Sequence, residues 1–522
     1  MARNTSEGII LTIDVGTSSI RCLAFGPDGG ILESSSFDYA PVYHTNGQVR
    51  QSPADWKKGA ADVVSRTVHA LGEKKRGIAA VALTSQRASL ISIDRDGIPL
   101  HDAIMWHDKT TSPQCAEIAE RVDMEKMYHK TGLRIDSYFT APKILWLRKH
   151  FPDLYARADT FLGVQDYVAY TLTGRRVTDY SQASRTLLFN IWDQCWDGEI
   201  LDALGIEAGR LPELLMPGTI CGSTTSEFSE LTGMAGRVPV VLAGGDQQVA
   251  AIGMGIFDQH TAEVNTGTGS FVITLTDEPV VHPRMKTLCS YSAVPGRWVA
   301  EAGVLTSGIV YKWFTEQFAH EKHEQDGSRD FHSMDKLVAA SPAGSNGLIT
   351  LPHFKGAAAP FWNPNARGIF FNVTLAHTKG DFARSIIESI ALEVACNIKL
   401  LNEIDRVNIE NIIVAGGMTS FGLFNQIQAD VYNMPVRKDP HTEASSFGAF
   451  LSTLAAIERY TSVFSAYQDF SKNGPLEKYT PDPAAADIYR TVTAQRTDLY
   501  NAMEAGGMYD SIPSFEKKLR LL

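Results

Sequence analysis

The chain has 522 residues, 44% hydrophobic and 20% charged, with a formal net charge of −11. That length exceeds one ordinary core and predicts about two to four domains, with the composition of a globular protein. The acidic balance excludes a general nucleic-acid or membrane-surface partner, though not a small anion held in a local site.

The first residues lack a secretory pattern, because their apolar run is short and enters Asp14 directly. "GIILTIDVGTSSIRCLAFGPDGGILESSSF" (8–37) reads as two strands joined at the Pro27–Gly30 turn. Residues 54–72 carry helical spacing, and "IAAVALTSQ" (78–86) is the short apolar run of a buried parallel strand. "APKILWLRKHFPDLYARA" (141–158) predicts a helix with a proline near its start. "VPVVLAGGD" (238–246) predicts another buried strand, stopped by glycines and followed by Asp246. A carboxylate among small apolar residues is costly unless it is paired or working.

The pattern then restarts. "TAEVNTGTGSFVITLTDEPVV" (261–281) predicts a hairpin with a polar Gly/Thr turn, and 382–404 has a long helical period. "IENIIVAGGMTSFGLFNQIQADVYNMPV" (409–436) reads as strand, glycine turn and helix. Two halves that each open on a polar hairpin predict a duplicated α/β domain, with the break between Gly253 and Asp258. The expected units are 1–255, 256–460 and a polar, proline-bearing peripheral tail, 461–522. The six cysteines (22, 115, 195, 221, 289 and 396) include no CxxC or zinc-ligand pair, so they read as reduced thiols of a cytoplasmic protein. No apolar stretch is long enough to span a bilayer.

Three polar glycine turns punctuate strands: "DVGTSS" (14–19), "NTGTGS" (265–270) and "AGGMTS" (415–420). Glycine lets backbone N–H groups approach a phosphate, and Ser/Thr hydroxyls add donors. One such cluster is usually only a turn; three at strand ends of a duplicated chain point to an anion cradle. No P-loop, Rossmann or protein-kinase motif is present. His107–Asp108 resembles a catalytic pair, but Asp108 reads as holding Lys109 or the Trp106 loop. His353 reads as a loop histidine, with no His or Cys at ligand spacing.

"DVGTSS" with Arg21, "YFTAPKILWL" (138–147), "GGDQQ" (244–248), "NTGTGSF" and "AGGMTSFGLFNQIQAD" together resemble the FGGY carbohydrate kinases, most of all the glycerol kinase branch, from about residue 9 to about 460. A second family signature, around 368–393, matches less well, with Asn372 in place of the usual Gly. The resemblance implies an α/β fold of two ribonuclease-H-like domains, of the actin/Hsp70 ATPase type, around a catalytic cleft. It implies ATP, Mg²⁺ and transfer of the γ-phosphoryl group to a hydroxyl of a small sugar or polyol. Family members are often dimers or tetramers, so a homodimer or tetramer is expected.

Matched residue by residue, Asp246 is the general base, also near the metal, and Asp14 sits near the metal through waters. Gly16, Thr17, Ser18 and Arg21 match the first phosphate loop, and Gly267 and Thr268 the second. Gly416 and Gly417 match the loop under the adenosine. Gly308 fits a further nucleotide segment, where Lys312 stands for a usual Gln; Phe421 replaces an Asn at the adenine contact. Gln86, Arg87, Trp106, Tyr138, Gln247 and Phe271, with Asp246, match substrate contacts, joining hydroxyl partners to aromatic walls. Ala88 stands where glycerol kinases carry a Glu that accepts bonds from glycerol. Loss of that acceptor costs about 1–3 kcal/mol at such a contact and opens space. It predicts a four- or five-carbon polyol or ketose as substrate. The alternatives are glycerol, a dihydroxypentanedione-derived autoinducer, or a nucleotide- and sugar-binding regulator on the same fold. The regulator is disfavoured because it needs no base at Asp246.

Overall fold

Six strands form the first sheet: β1 (Ile9–Val15), β2 (Ser19–Phe25), β3 (Ile31–Asp38), β4 (Ile78–Ser85), β5 (Thr219–Ser223) and β6 (Pro239–Gly245), in the order β5-β6-β4-β1-β2-β3. Seven form the second: β7 (Thr261–Thr266), β8 (Ser270–Thr276), β9 (Leu288–Tyr291), β10 (Trp298–Val304), β11 (Asn411–Ala415), β12 (Val436–Lys438) and β13 (Glu477–Tyr479). Its order is β9-β10-β8-β7-β11-β12-β13. These assignments come from a computed structural model that describes residues 8–45, 47–318, 331–439, 443–471 and 477–519. Each sheet contains an antiparallel three-stranded run (β1-β2-β3; β7-β8-β10) joined through its first strand to parallel strands (β4, β6; β11, β12). This is the ribonuclease-H-like arrangement, present twice.

The helices that matter are α1 (Pro53–Ala70), α2 (Thr140–His150), α3 (Val164–Thr173), α4 (Asp246–Met254), α5 (Gly308–Phe318), α6 (Lys379–Leu401), α7 (Gly422–Tyr432), α8 (Ala444–Ala456) and α9 (Pro483–Ala505). The sheets are buried on both faces, which is why β1 and β4 are near-continuous apolar runs. α1 and α3 cover one face of the first sheet. α5, α6 and α7 cover the outer face of the second. Between the sheets lie α4 and α8. α8, late in the chain, packs Phe447, Phe450 and Leu451 onto Ile10, Leu23, Phe25 and Ala82 of the first sheet. α4, which continues β6, packs Val249 and Ile252 into that same cluster and Ala251 and Met254 onto Ile273, Leu275 and Val299 of the second sheet. The two helices cross at glycines. A Cβ on Gly448 would fall inside the carbonyl oxygen of Val249 and 3.0 Å from the Gly253 nitrogen. One on Gly253 would overlap the Ala444 carbonyl.

Three expectations change. The opening segment is three strands rather than two: the chain first reverses at 16–18, and the Pro27–Gly30 turn joins β2 to β3. The predicted helix 141–158 is broken. α2 ends at His150, Phe151 takes φ −137°, and a short helix, Pro152–Arg157, follows. Proline disfavours helical geometry in the residue before it.

The third is the tail, which is not peripheral. β13 completes the second sheet beside β12. α9 starts at a proline capped by Asp482, whose side chain accepts from the Ala484 N–H at 2.8 Å, and buries Tyr489, Arg496 and Tyr500. Arg496 is fully buried and pairs with Glu393 of α6, which also bonds His353 Nε2 at 2.6 Å. The polar composition of the segment hides a buried stripe at helical spacing.

Burial and the neighbouring Arg496 charge push His353 down to about 3, so it folds neutral. An unfolded histidine titrates near 6.5, so this group's stabilisation is complete above that pH and is lost as pH falls from about 6.5 toward 3. His353→Phe is expected to flatten the acid slope of stability by about 1.4 kcal/mol per pH unit. Urea midpoints of both proteins, between about pH 6.5 and 4.5, check it.

Candidate active site

Asp246 is the first residue of α4, directly after the glycines that end β6. Its Oδ1 accepts the Gln247 N–H at 2.7 Å and lies 3.7 Å from Arg87 Nε. Burial raises its pKa against the opposing charge of Arg87. The side chain still keeps 36% exposure, so the carboxylate faces open space rather than core.

Arg87 follows the end of β4 and is buried. Its Nη2 donates to Gln247 Oε1, and its Nη1 lies 3.7 Å from Glu301 on β10. Glu301 also receives both Nη groups of Arg185 at 3.4 Å. A carboxylate of the second sheet therefore ties two arginines of the N-terminal half beside Asp246. Arg87 Nη1 and Gln247 Nε2 are buried donors without a hydrogen-bond partner among the described residues.

Gln86 donates from Nε2 to the Gly16 carbonyl at 3.0 Å. Trp106 Nε1 donates to Thr17 Oγ1 at 3.2 Å, and its ring meets Tyr138 at 5.4 Å between centroids. Arg185 lies over the Tyr138 ring at 5.5 Å. Gln86, Arg87, Trp106, Tyr138 and Gln247 are thus one connected wall reaching Asp246. Phe271 enters from β8 on the sheet face that carries Glu301, against Gly303, and is 39% exposed.

Asp14, next to last on β1, stands opposite Arg21 on β2. Burial, with the charges of Asp246 and Glu443, pushes it up to about 7. Arg21 reaches Glu443, just before α8, at 2.8 Å. Asp246 of the same half and Glu443 of the other half thus both raise Asp14, and a cation beside Asp14 and Asp246 would relieve that repulsion. No group of three or more metal-ligating side chains occurs among the described residues; two carboxylates suit Mg²⁺, which keeps most of its waters.

The turn of Gly16, Thr17 and Ser18 closes on the Ser19 carbonyl, with Ser18 exposed. The second turn, Gly267 and Thr268, is bound to the start of α5: Gly308 N–H donates to the Gly267 carbonyl at 3.0 Å and Ser307 N–H to that of Thr268 at 2.9 Å. A Cβ on Gly308 would stand 2.5 Å from that Gly267 oxygen. Gly416 has φ +93°, and a Cβ there would stand 2.7 Å from Asn265 Oδ1. Gly417 begins the turn that leads to α7. The structure thus gathers Gly267, Thr268, Gly308, Gly416 and Gly417. Lys312 and Phe421 are placed differently: Lys312 pairs with Glu316 at 3.8 Å on the exposed side of α5, and Phe421 packs at the edge of the second core.

Asp108 does not hold Lys109, which reaches Asp136 at 3.7 Å. It is buried, pairs with Arg50 and accepts the Val49 N–H at 2.7 Å. Arg185, Glu301 and Glu263 were not anticipated. Glu263 is fully buried on β7, and burial pushes it up to about 8. The signal for both glutamates was an isolated carboxylate inside an apolar strand, "TAEVNT" and "WVAEAGV".

Comparison with known proteins gives two domain matches. Residues 9–253 match the N-terminal domain of the FGGY family of carbohydrate kinases, and residues 262–457 its C-terminal domain. A glycerol kinase from Alkalilimnicola ehrlichii is 31% identical over 92% of this chain and 97% of its own. A xylulose kinase from Staphylococcus epidermidis is 28% identical over 92% and 94%. A ligand-bound xylulose kinase from Lactobacillus acidophilus superposes with a TM-score of 0.88 at 25% identity, covering 97% of this chain and 100% of that one. Among the described residues no helix is long and apolar enough to cross a membrane.

Proposed function

The chain belongs to the FGGY family of carbohydrate kinases, and from that membership we propose that it phosphorylates a four- or five-carbon polyol or ketose, with Asp246 as general base. The observation that supports this most is the group of buried donors that make no hydrogen bond, Arg87 Nη1 and Gln247 Nε2, beside a partly exposed carboxylate and a Trp106–Tyr138 wall. Substrate hydroxyls supply the acceptors these donors need, and the rings cover C–H faces.

Kinases of this family work with ATP and Mg²⁺. The glycine turns and the Asp14–Asp246 pair fit both. Asp14 and Asp246 would hold the ion, which when bound supplies neutralisation of the phosphate charge. Arg87 and Gln247 orient the acceptor. Oδ1 of Asp246 is engaged by the Gln247 N–H, so Oδ2 takes the hydroxyl proton. The acceptor oxygen bonds to the γ-phosphorus as the bond to the β–γ bridging oxygen breaks, and that electron pair leaves with ADP. Backbone N–H groups of the two glycine turns hold the phosphates while Trp106 and Phe271 exclude water from the transfer.

Ala88 supports the larger acceptor. It is buried, with φ +64°, and offers no acceptor beside Arg87. The experiment is coupled ADP release with MgATP on glycerol, erythritol, the pentitols, both xyluloses, both ribuloses, erythrulose and the dihydroxypentanedione signal. Turnover fastest on a four- or five-carbon substrate is expected; glycerol fastest by a wide margin would sink the size argument. Ala88→Glu is expected to move the ratio of glycerol to ketose kcat/KM about 10-fold toward glycerol.

A further inference from the structure

Lys143 lies on α2 with its side chain fully buried, packed within the cluster that includes Ile144, Leu145 and Phe139. A desolvated ammonium ordinarily requires a carboxylate, and among the described residues none stands within ion-pair distance of it. Three successive backbone carbonyls take it instead: Ser137 at 3.0 Å, Phe139 at 2.8 Å, and Tyr138. An ammonium has three N–H donors and no acceptor, so the set is complete. Burial brings Lys143 down to about 7, against the raising charges of Asp108 and Asp136.

What these carbonyls carry decides the reading. Tyr138 and Phe139 both support the Arg185 guanidinium, at 5.5 Å and 5.2 Å, and Arg185 reaches Glu301. Tyr138 also meets Trp106. Three carbonyls converging on one point repel one another, and the turn keeps this path only while a compact cation sits at their focus. Arginine is too broad to replace it, and a neutral side chain supplies at most two donors.

We propose that Lys143 is a positioning residue of the acceptor site: its ammonium fixes the turn 137–139 so that the Tyr138 ring stands against Trp106 and Arg185. This rests on the reading of Tyr138 as part of the acceptor wall. The nucleotide site is built from other segments, so the two substrates separate the roles.

The test compares Lys143→Met, Lys143→Gln and Tyr138→Ala in the full chain. Acceptor KM, MgATP KM and kcat are measured with whichever of D-xylulose, D-ribulose or glycerol the parent turns over fastest. Lys143→Met is expected to raise acceptor KM about 10-fold or more with MgATP KM held within about twofold, and Lys143→Gln, with two donors left, to fall between. An unchanged acceptor KM, equal rises in both KM values, or failure of both Lys143 variants to fold would make Lys143 a core residue only and overturn the proposal. Tyr138→Ala with unchanged acceptor KM would instead remove Tyr138 from the wall, whatever Lys143 does.

Discussion

Asp246→Asn is expected to lower kcat by about 10²–10⁴-fold, the usual contribution of a positioned base, while MgATP still binds. Asparagine keeps the size of the side chain and an oxygen for the Gln247 N–H. It cannot take a proton from the acceptor hydroxyl. It also removes a negative charge beside Arg87, which keeps Gln247 and Glu301 as partners, so the acceptor wall stays in place. Loss should therefore fall on kcat more than on acceptor KM. Coupled ADP release measures the rate, and calorimetric titration with MgATP measures nucleotide binding. A rate within about tenfold of the parent would remove Asp246 from the base role.

Gly448→Ala carries the second large effect. On helix propensity alone the change gains about 0.5–1 kcal/mol, because alanine outranks glycine inside a helix. The new methyl group would fall inside the Val249 carbonyl of α4. That neighbour is helical backbone, which cannot rotate away as a side chain would. Overpacking costs about 1–3 kcal/mol, and more when backbone must shift, so the clash wins. The crossing of α4 and α8 also lies where the two sheets meet, so a spacer there alters how they approach each other. Net destabilisation of about 3 kcal/mol, with kcat and KM changing together, is expected. Urea unfolding and steady-state kinetics on the same preparation decide it. Parent-like behaviour in both would show that the helices have room to separate.

The features legible in the sequence were those written locally. Glycine turns at strand ends, the isolated Asp246 after "LAGG", and the restart at residue 261 each depend on a few adjacent residues, and both sheets follow from them. Partners far apart were not legible. Nothing near Glu301 shows that Arg185 and Arg87, from the other half, converge on it. Lys143 reads as one charge in an apolar helix until its focus on three carbonyls is seen. Phe421, expected at a ligand contact, is partly buried against the edge of the second core, and that packing too was not legible from its position in the sequence. The tail misled by composition: Pro483, Asp487, Arg490 and Asp498 sit on the outside of α9, while Tyr489, Arg496 and Tyr500 turn inward.

The packing of α8 on the first sheet bears on how this chain is made. The face of the first sheet bearing Ile10, Leu23, Phe25 and Ala82 is closed by Phe447, Phe450 and Leu451 of α8. During synthesis that apolar face emerges early and, covered only in part by Val249 and Ile252 of α4, waits until nearly the whole second half has followed it. The N-terminal half therefore cannot finish folding as it leaves the ribosome, and cutting the gene at residue 255 would not yield an independent product but a sticky one. Supplying the second half in trans, or a chaperone during translation, would be the condition for recovering it.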